Sequence, residues 1–469
     1  MMNIKMSLFG TFIYKVVGAW LLFCLAVLAE ESVCPHSSPD AKAALDNARK
    51  NAEQINDQYV RSELLHEVAK GYAHNGDFES ALQVIRVDSR LMWQAADDLA
   101  RNMLRCGEVS EVKAAAPTLD GRSRSLMLQW LAEWQAKHDD ATGSQESLAQ
   151  IKDGDIRREA QFNIVTARAI KGDAKTADAE YRKLLTASPS GTQSNDDLVS
   201  QDMALVYVMK GDINAAIASL DQMKSGEKIY ALYSVTQILA AKKDKAGADL
   251  LSKEALRITR PFLKDPNQAY PISLLATAQA RLGMFDDAID LANSIPDEQR
   301  KDEALVMIAV HLIAAKNESR ANTVLESMPR VPQGKDDLEA EREMAWVRIA
   351  IAQANAGDGE AALKTLEKVR DPRMDSLVKW QRAYAQARVG KFVEAQSLAA
   401  QIPEQFPRDE RGRAFRLVAA VNAHQKGESA ATSWAGQLAT PQDRTNAYLG
   451  IADGLLEDPT QEIPPYFQD

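Results

Sequence analysis

The sequence predicts an all-α protein, an α-solenoid of repeated helical hairpins. First, one pattern recurs along most of the chain: a small residue, a Gly seven positions later and an Ala five positions after that, as in Ala69, Gly76 and Ala81. Second, the chain has 469 residues, whereas a single hydrophobic core stops growing at roughly 250–300. Third, 73 Ala with only 23 Gly and 17 Pro favour closely packed helices.

The composition narrows the class of protein and of partner. With 45% hydrophobic and 26% charged residues, the chain is expected to be globular rather than disordered. Its net charge of −10 argues against nucleic acid, because such a partner requires basic patches that displace counterions. We therefore expect no nucleic-acid partner.

The first 29 residues are predicted to be an export signal. Lys5 and Lys15 supply positive charge, and an apolar run follows from Val16 to Ala29. This run is shorter than the roughly 18 residues that span a bilayer. Val27 and Ala29 suit the −3 and −1 positions of a cleavage site. The sequence thus predicts a periplasmic or extracellular protein, and the alternative is an uncleaved anchor, which would be its only membrane contact.

Cleavage after Ala29 would remove Cys24 and leave Cys34 and Cys106. Two thiols in an oxidising compartment can form a disulfide. Cys34 lies in a tail and Cys106 at a predicted helix end, so closure is feasible. The alternative, two unpaired thiols, stays open at this point.

Each repeat unit is predicted to be one helical hairpin. About fourteen residues with helical apolar spacing precede the Gly, and this Gly supplies the left-handed conformation that ends the first helix. The Ala five residues later lies where the two helices cross and must be small. Lys or Asp replaces the Gly in some units. The eleven anchors are Gly76, Gly107, Asp139, Gly172, Gly211, Lys243, Gly283, Lys316, Gly357, Gly390 and Gly427.

The domain boundaries follow from this repeat. Residues 30–56 are predicted to form a tail and an N-terminal capping helix, and residues 57–440 form the solenoid. Residues 441–457 are predicted as a C-terminal capping helix, because the ends of a solenoid need polar outer faces. Residues 458–469 contain Pro459, Pro464 and Pro465 and are predicted as a tail.

The motif resembles the tetratricopeptide (TPR) repeat, whose signature places Trp, Leu, Gly and Tyr in the first helix and Ala and Phe in the second. The best copy has Trp346, Ile349 and Ala350 followed by Ala362 and Leu366. Most units lack the Trp and the closing Pro. The resemblance implies a right-handed solenoid of about eleven TPR-like units, with capping helices at its ends. It also implies a concave groove, lined by the first helices, that binds peptides or other proteins.

The predicted function is therefore a non-enzymatic scaffold outside the cytoplasm that binds a protein or an extended peptide. We find no metal-ligand spacing, nucleotide-binding loop or nucleophile motif, so no catalytic residue, metal or cofactor is predicted. Two alternatives stay open. One is an enzyme, either a helical toroid or a cell-wall-active protein, and the other is a structural spacer without a groove ligand.

The groove residues follow from the TPR resemblance, counted back from each anchor. Their types predict a groove that is basic-leaning near the N-terminus and aromatic in the middle, suited to a partner with an acidic segment. The alternative is that the tyrosines pack against the neighbouring first helix. The predicted groove residues are His66, Lys70, Arg101, Arg105, Lys137, Tyr230, Tyr233, Tyr270, Trp380 and Tyr384, with Asp97, Glu133, Gln237, Ser273 and Thr277 at equivalent positions.

Overall fold

A computed structural model describes residues 34, 35, 37–87, 93–172, 174–187, 195–224, 226–328, 336–370, 374–403 and 410–456. The predicted signal sequence and the C-terminal tail lie outside these described residues. Within them the chain forms 24 α-helices and no strand, which confirms the all-α prediction.

The helices are numbered in chain order. They are α1 (Pro39–Ala52), α2 (Gln58–His74), α3 (Phe78–Val87), α4 (Trp93–Arg105), α5 (Val109–Ala115), α6 (Gly121–Lys137), α7 (Ala141–Gln150), α8 (Gly154–Lys171), α9 (Ala174–Ala187), α10 (Asn195–Lys210), α11 (Ile213–Gln222), α12 (Glu227–Lys242), α13 (Lys245–Thr259), α14 (Ala269–Arg281), α15 (Phe285–Asn293), α16 (Glu298–Ala314), α17 (Glu318–Glu326), α18 (Asp336–Asn355), α19 (Gly359–Leu366), α20 (Asp375–Arg388), α21 (Phe392–Ala400), α22 (Glu410–Lys426), α23 (Glu428–Ala435) and α24 (Pro441–Leu456).

Helices α2 to α23 form eleven consecutive hairpins, each made of a first and a second helix. Ten of the eleven predicted anchors have positive φ, including Lys243 and Lys316, where Lys stands in place of Gly. The exception is Gly172, whose φ is −106°. A left-handed residue ends the first helix and turns the chain back on itself, so the local sequence encodes the hairpin.

The turn and the crossing of each hairpin also have the predicted chemistry. After the anchor, an Asp begins several second helices; the Asp212 side chain, for example, accepts a hydrogen bond from the Ala215 amide at 3.0 Å. Ala288, Ala362 and Ala395, five residues after their anchors, are completely buried. Small side chains at these positions therefore set the close approach of the two helices.

The first helices form the inner layer of the molecule. Each first helix packs against the first helix of the hairpin before it and of the hairpin after it, whereas the second helices pack mainly on their own hairpin and on the next first helix. The inner layer is closed, because α22 packs on α24 and α24 in turn packs on α2. The solenoid is therefore a ring of first helices.

The ring closes through a twelfth hairpin assembled from both ends of the chain. Helices α1 and α24, predicted as caps, pack extensively on one another, with α24 in the place of a first helix and α1 in the place of a second. Asp443 of α24 is 2% exposed and accepts hydrogen bonds from Arg411. The two terminal helices therefore cover each other's apolar faces, which an open stack would leave to solvent.

Two glycines of α24 allow an unusually close approach to α22. A Cβ added at Gly450 would lie 1.9 Å from the Arg416 carbonyl oxygen, and one added at Gly454 would lie 2.2 Å from that of Ala420. These glycines are four residues apart, so they lie on one face of the helix. Only Gly permits this contact between the two backbones.

Basic residues at the ends of first helices join neighbouring hairpins. The Lys210 ammonium donates to the Gly172 carbonyl oxygen at 2.8 Å, and the Lys242 ammonium donates to that of Met209 at 2.9 Å. Arg388 donates in the same way to the Ala354 carbonyl oxygen at 3.0 Å. The carbonyls at a helix C-terminus carry partial negative charge, so these contacts stabilise the packing of the inner layer.

The N-terminal segment is fastened to the first two hairpins. A disulfide joins Cys34 to Cys106, which follows the last residue of α4. The Ser38 amide donates to the Asn75 side chain at 2.8 Å. The segment that leads into α1 is thus attached to the first two hairpins of the solenoid.

Candidate functional site

Three of the predicted groove residues meet in one pocket between the first helices α4 and α6. Arg101, Arg105 and Lys137 line it together with Glu133, and its volume is about 30 Å³. The remaining lining residues are Leu104, Trp130 and Trp134. We call this the tryptophan pocket. By the usual measure it has room for roughly two water molecules.

Arg101 is held in place by an acidic pair of its own helix. Its guanidinium donates to Asp97 at 2.9 Å and also contacts Asp98. The guanidinium carbon lies 5.5 Å from the centre of the Trp130 ring, within the range of a cation–π interaction. The Trp130 indole N–H donates to Asp97 at 2.5 Å, so the wall of the pocket is fixed by hydrogen bonds across two helices.

Glu133 is 1% exposed. Its Oε1 accepts hydrogen bonds from Gln129 at 2.9 Å and from Asn163 on α8 at 2.7 Å, whereas Oε2 has no partner among the described residues. Burial raises the pKa of Glu133 to about 8, against the two hydrogen bonds, which lower it. Glu133 is therefore mostly protonated at neutral pH.

Two further carboxyl groups near the pocket are partly buried. Burial raises the pKa of Asp97, and Arg101 and Trp130 offset part of that effect. Burial also raises the pKa of Glu159 on α8, opposed by a hydrogen bond from Gln129. Because burial keeps Glu133 mostly protonated at neutral pH, the negative charge at this site is smaller than its composition indicates.

Arg105 and Lys137 are the last residues of their helices and are only partly buried. The neighbouring Trp134 ring stacks on His138, with ring centres 3.7 Å apart. The pocket therefore combines cationic side chains with two tryptophan side chains.

The rest of the predicted basic region is largely neutralised. The Lys70 ammonium lies 3.4 Å from Glu67 and 3.9 Å from Asp98. His66 is 9% exposed, and burial lowers its pKa, so it is neutral at pH 7. The basic character expected along this face is thus weaker than the sequence indicated. Glu67 and Asp98 lie beside Lys70, and His66 is neutral at pH 7.

The middle of the ring has three of the predicted tyrosines on two successive first helices. Tyr230 and Tyr233 on α12 and Tyr270 on α14 are partly buried. Burial, then Glu227 and Tyr270, raises the pKa of Tyr230 to about 12. The Arg300 guanidinium of α16 lies 5.0 Å from the centre of the Tyr270 ring. Tyr230 and Tyr270 therefore lie near enough for the charge of one to affect the pKa of the other.

Trp380 and Tyr384 do not line a groove, and that prediction is wrong. Each is 1% exposed. The Tyr384 hydroxyl donates to the Asn355 side chain of the preceding first helix at 2.7 Å. Both side chains pack in the core between helices, and for Tyr384 this is the alternative that the sequence left open for the tyrosines.

Sequence reasoning missed the two tryptophans of the pocket. Trp130 and Trp134 are four residues apart on α6 and lie on the face that also presents Glu133 and Lys137. On this helix the counting rule selected Glu133 and Lys137 and omitted both tryptophans. The i, i+4 spacing of two large aromatics beside a predicted groove residue was the available signal.

Comparison with known proteins adds little to this picture. No protein-family model matches the chain, and no curated protein matches it. Among solved structures the chain is similar to Ton1535 from Thermococcus onnurineus NA1, with 14% identity and a TM-score of 0.26. That match covers 68% of this chain and 97% of Ton1535.

The described residues contain neither a membrane-spanning helix nor a metal-binding cluster. None of their helices has the length and apolar character needed to cross a membrane. In the same part of the chain, no three His, Cys, Asp or Glu side chains are grouped so that they could hold a metal ion.

Proposed function

We propose that this protein is an exported, non-enzymatic TPR-like scaffold that binds an acidic segment of another protein at the tryptophan pocket. The observation that supports this proposal most is that Arg101, Arg105 and Lys137 line one pocket. The sequence analysis assigned all three to the groove, and they come from two different repeats. Lys and Arg bind carboxylates, and Trp supplies rigid apolar surface at low cost in conformational entropy.

The arrangement suits a segment that is acidic and extended. Arg105 and Lys137 end neighbouring first helices, so an extended chain that crosses α4 and α6 meets both. Arg101 lies one helical turn before Arg105, at the side of Trp130. Binding would therefore require few new positions of the side chains, since hydrogen bonds within the protein already fix most of them.

The test uses a fluorescent octamer of Glu with blocked ends as the probe and measures its anisotropy against the purified protein. We expect saturable binding that weakens at high salt, because exposed charges are screened. Arg105→Glu and Lys137→Glu should each weaken it at least about tenfold, roughly 1.4 kcal/mol. Neither variant should lower the melting temperature by more than a few degrees.

Lys113→Glu on the second helix α5 is the matched control, since this exposed residue makes the same charge change away from the pocket. It should bind the probe like the natural sequence. If the Glu octamer binds no better than a Gln octamer, or if the control weakens binding equally, the proposed function is wrong.

The closed ring lends support to a second candidate, an enzyme of the helical-toroid type. Glu133, with a pKa of about 8, has the protonation of a general acid. However, a pocket of about 30 Å³ has no room for a sugar ring. Hydrolysis of purified peptidoglycan by the natural protein, abolished in Glu133→Gln, would establish the enzyme in place of the scaffold.

A further inference from the structure

Arg122 is an exposed arginine near the beginning of α6 whose charge is not neutralised by an ion pair. Its guanidinium carbon lies 4.5 Å from the centre of the ring of Trp93, the first residue of α4, within the range of a cation–π interaction. Within the part of the chain that the structure describes, Arg122 forms no ion pair. The Glu159 carboxyl group of α8 is close enough for Arg122 to lower its pKa but does not pair with it.

Arg101 in the tryptophan pocket has the same aromatic support but a different electrostatic state. Its guanidinium lies over the Trp130 ring and is also bonded to an acidic pair of its own helix, so much of its charge is neutralised. Arg122 lies over Trp93 and keeps its charge for a ligand. The five N–H groups of a guanidinium point outward in its plane, so a carboxylate can bind at the edge while an indole ring covers the face.

Arg122 and the tryptophan pocket lie on the same face of the two packed helices α4 and α6. Arg122 and Glu133 are eleven residues apart on α6, which is three turns of helix, so their side chains leave the helix in nearly the same direction. On α4, Trp93 and Asp97 are four residues apart, and Asp97 accepts a hydrogen bond from Trp130 of the pocket wall. The face that carries the pocket at one end therefore carries Arg122 at the other.

We propose that Arg122, supported by Trp93, is a second carboxylate subsite, which binds another acidic side chain of the segment held at the tryptophan pocket. Arg122 and Lys137 are fifteen residues apart on α6, or about 22 Å at the helical rise of 1.5 Å per residue. An extended chain rises about 3.3 Å per residue, so about seven residues connect the two subsites. This inference rests on the proposed function and adds the spacing of acidic residues that the partner requires.

Two subsites on one face make binding depend on how the negative charges of the partner are spaced. A segment with acids about seven residues apart meets Lys137 and Arg122 together, and its second contact benefits from a high effective concentration. A segment whose acids are close together reaches only one of the two subsites. Because Trp93 already positions the Arg122 guanidinium, little side-chain freedom is lost when the second contact forms.

The experiment compares two blocked, fluorescent twelve-residue peptides, each with two Glu-Glu pairs in a Gly-Ser chain. The centres of the pairs are about seven residues apart in the long-spaced probe and about two residues apart in the short-spaced probe. By fluorescence anisotropy, we expect the natural protein to bind the long-spaced probe at least about fivefold more tightly. Arg122→Gln should remove this preference to within about twofold, through a loss of affinity for the long-spaced probe alone.

Two further variants test the support of the subsite and the specificity of the effect. Trp93→Leu leaves the charge of Arg122 in place, so it should weaken the long-spaced probe less than Arg122→Gln does and leave the short-spaced probe unchanged. An unchanged affinity for the long-spaced probe would remove Trp93 from the subsite. Arg157→Gln, at an exposed residue of α8, is the matched control and should bind both probes like the natural protein. Circular dichroism melts confirm that every variant is folded.

The remaining outcomes separate the subsite from the proposed function. Equal affinity of the natural protein for the two probes would overturn the subsite. So would an Arg122→Gln variant that weakens both probes equally or neither of them, since a general effect of charge does not depend on spacing. The proposed function would still stand, provided that Arg105→Glu and Lys137→Glu weaken binding of the Glu octamer. If the Glu octamer does not bind the natural protein, the proposed function is wrong and the subsite falls with it.

Discussion

Arg416 on α22 donates a hydrogen bond to Glu67 on α2 at 2.8 Å, although the two residues lie 349 positions apart in the chain. The same guanidinium donates to Asp453 on α24 at 2.6 Å. One side chain therefore links the last repeat, the closing helix and the first repeat. The side chains of Arg416 and Glu67 are each about 30% exposed, so their contact is partly shielded from water.

Arg416→Met should open this joint. Met is similar in length to Arg but cannot bond to Glu67 or Asp453, so we expect a loss of about 1–3 kcal/mol in the free energy of unfolding. Small-angle X-ray scattering should show a larger radius of gyration. Arg157→Met, the same change at an exposed residue of α8, serves as the control. An unchanged radius and an unchanged urea midpoint for Arg416→Met would show that the apolar contacts of α1 and α24 close the ring alone.

The same joint predicts an acid-sensitive step in stability. Burial would raise the pKa of Glu67, but Arg416 and Lys70 outweigh it and lower that pKa to about 2. A carboxyl group with a lowered pKa stabilises the fold above pH 4.5, and this contribution is lost as the pH falls from 4.5 to 2. In Arg416→Met, the urea midpoint of unfolding should therefore change less with pH over that interval than it does in the natural protein.

Gly450→Ala should destabilise the protein through the contact between α22 and α24. The new Cβ would lie 1.9 Å from the Arg416 carbonyl oxygen, so one helix must move. We expect a cost of roughly 1–3 kcal/mol, measured by urea unfolding. Gly154→Ala is the control, because nothing lies within 4 Å of a Cβ added at Gly154. Equal midpoints for the two variants would contradict the close packing.

The ring itself could not be predicted from the sequence, whereas its hairpins could. The anchors specify turns through local backbone conformation, and the pattern of Gly76, Lys243 and Lys316 was therefore readable. Closure depends on small rotations accumulated over eleven repeats and on which surface meets Gly450 and Gly454. Trp380 was placed in a groove for a related reason, because burial between first helices depends on the curvature of the stack.

The left-handed lysines allow a prediction of the opposite sign. Lys316 has a φ of 59° and is exposed. A left-handed conformation costs a non-Gly residue roughly 1–2 kcal/mol, and Gly offsets part of this through greater freedom in the unfolded chain. We expect Lys316→Gly to raise the free energy of unfolding by up to about 1 kcal/mol, and the reverse change Gly357→Lys to lower it. A destabilised Lys316→Gly variant would indicate that the Lys316 side chain has a structural contact.

Ala362→Leu tests the crossing of the two helices within a hairpin. Ala362 is fully buried, so three additional carbon atoms would overpack the contact and cost roughly 1–3 kcal/mol. Ala356, one residue before the anchor of the same hairpin, is exposed, and Ala356→Leu should leave the melting temperature nearly unchanged. If Ala362→Leu melts like the natural protein, the crossing does not depend on a small residue at this position.

Glu133 should make the stability of the whole protein depend on pH between about pH 4.5 and pH 8. Its pKa is about 8 in the fold and 4.5 as an unperturbed group. Between these values the unfolded chain loses the Glu133 proton while the folded chain keeps it, so the free energy of unfolding falls as the pH rises. Asp97 and Glu159 contribute in the same direction, because burial raises their pKa values as well.

Glu133→Gln removes one of these three contributions without changing the shape of the side chain. We expect the variant to gain stability relative to the natural protein between pH 5 and pH 9, by at least about 1.4 kcal/mol, the equivalent of one unit of pKa. Urea midpoints at the two pH values measure this double difference. Glu146→Gln, at an exposed residue of α7, should show no such change. A constant difference between Glu133→Gln and the natural protein would mean that Glu133 is already ionised in the fold.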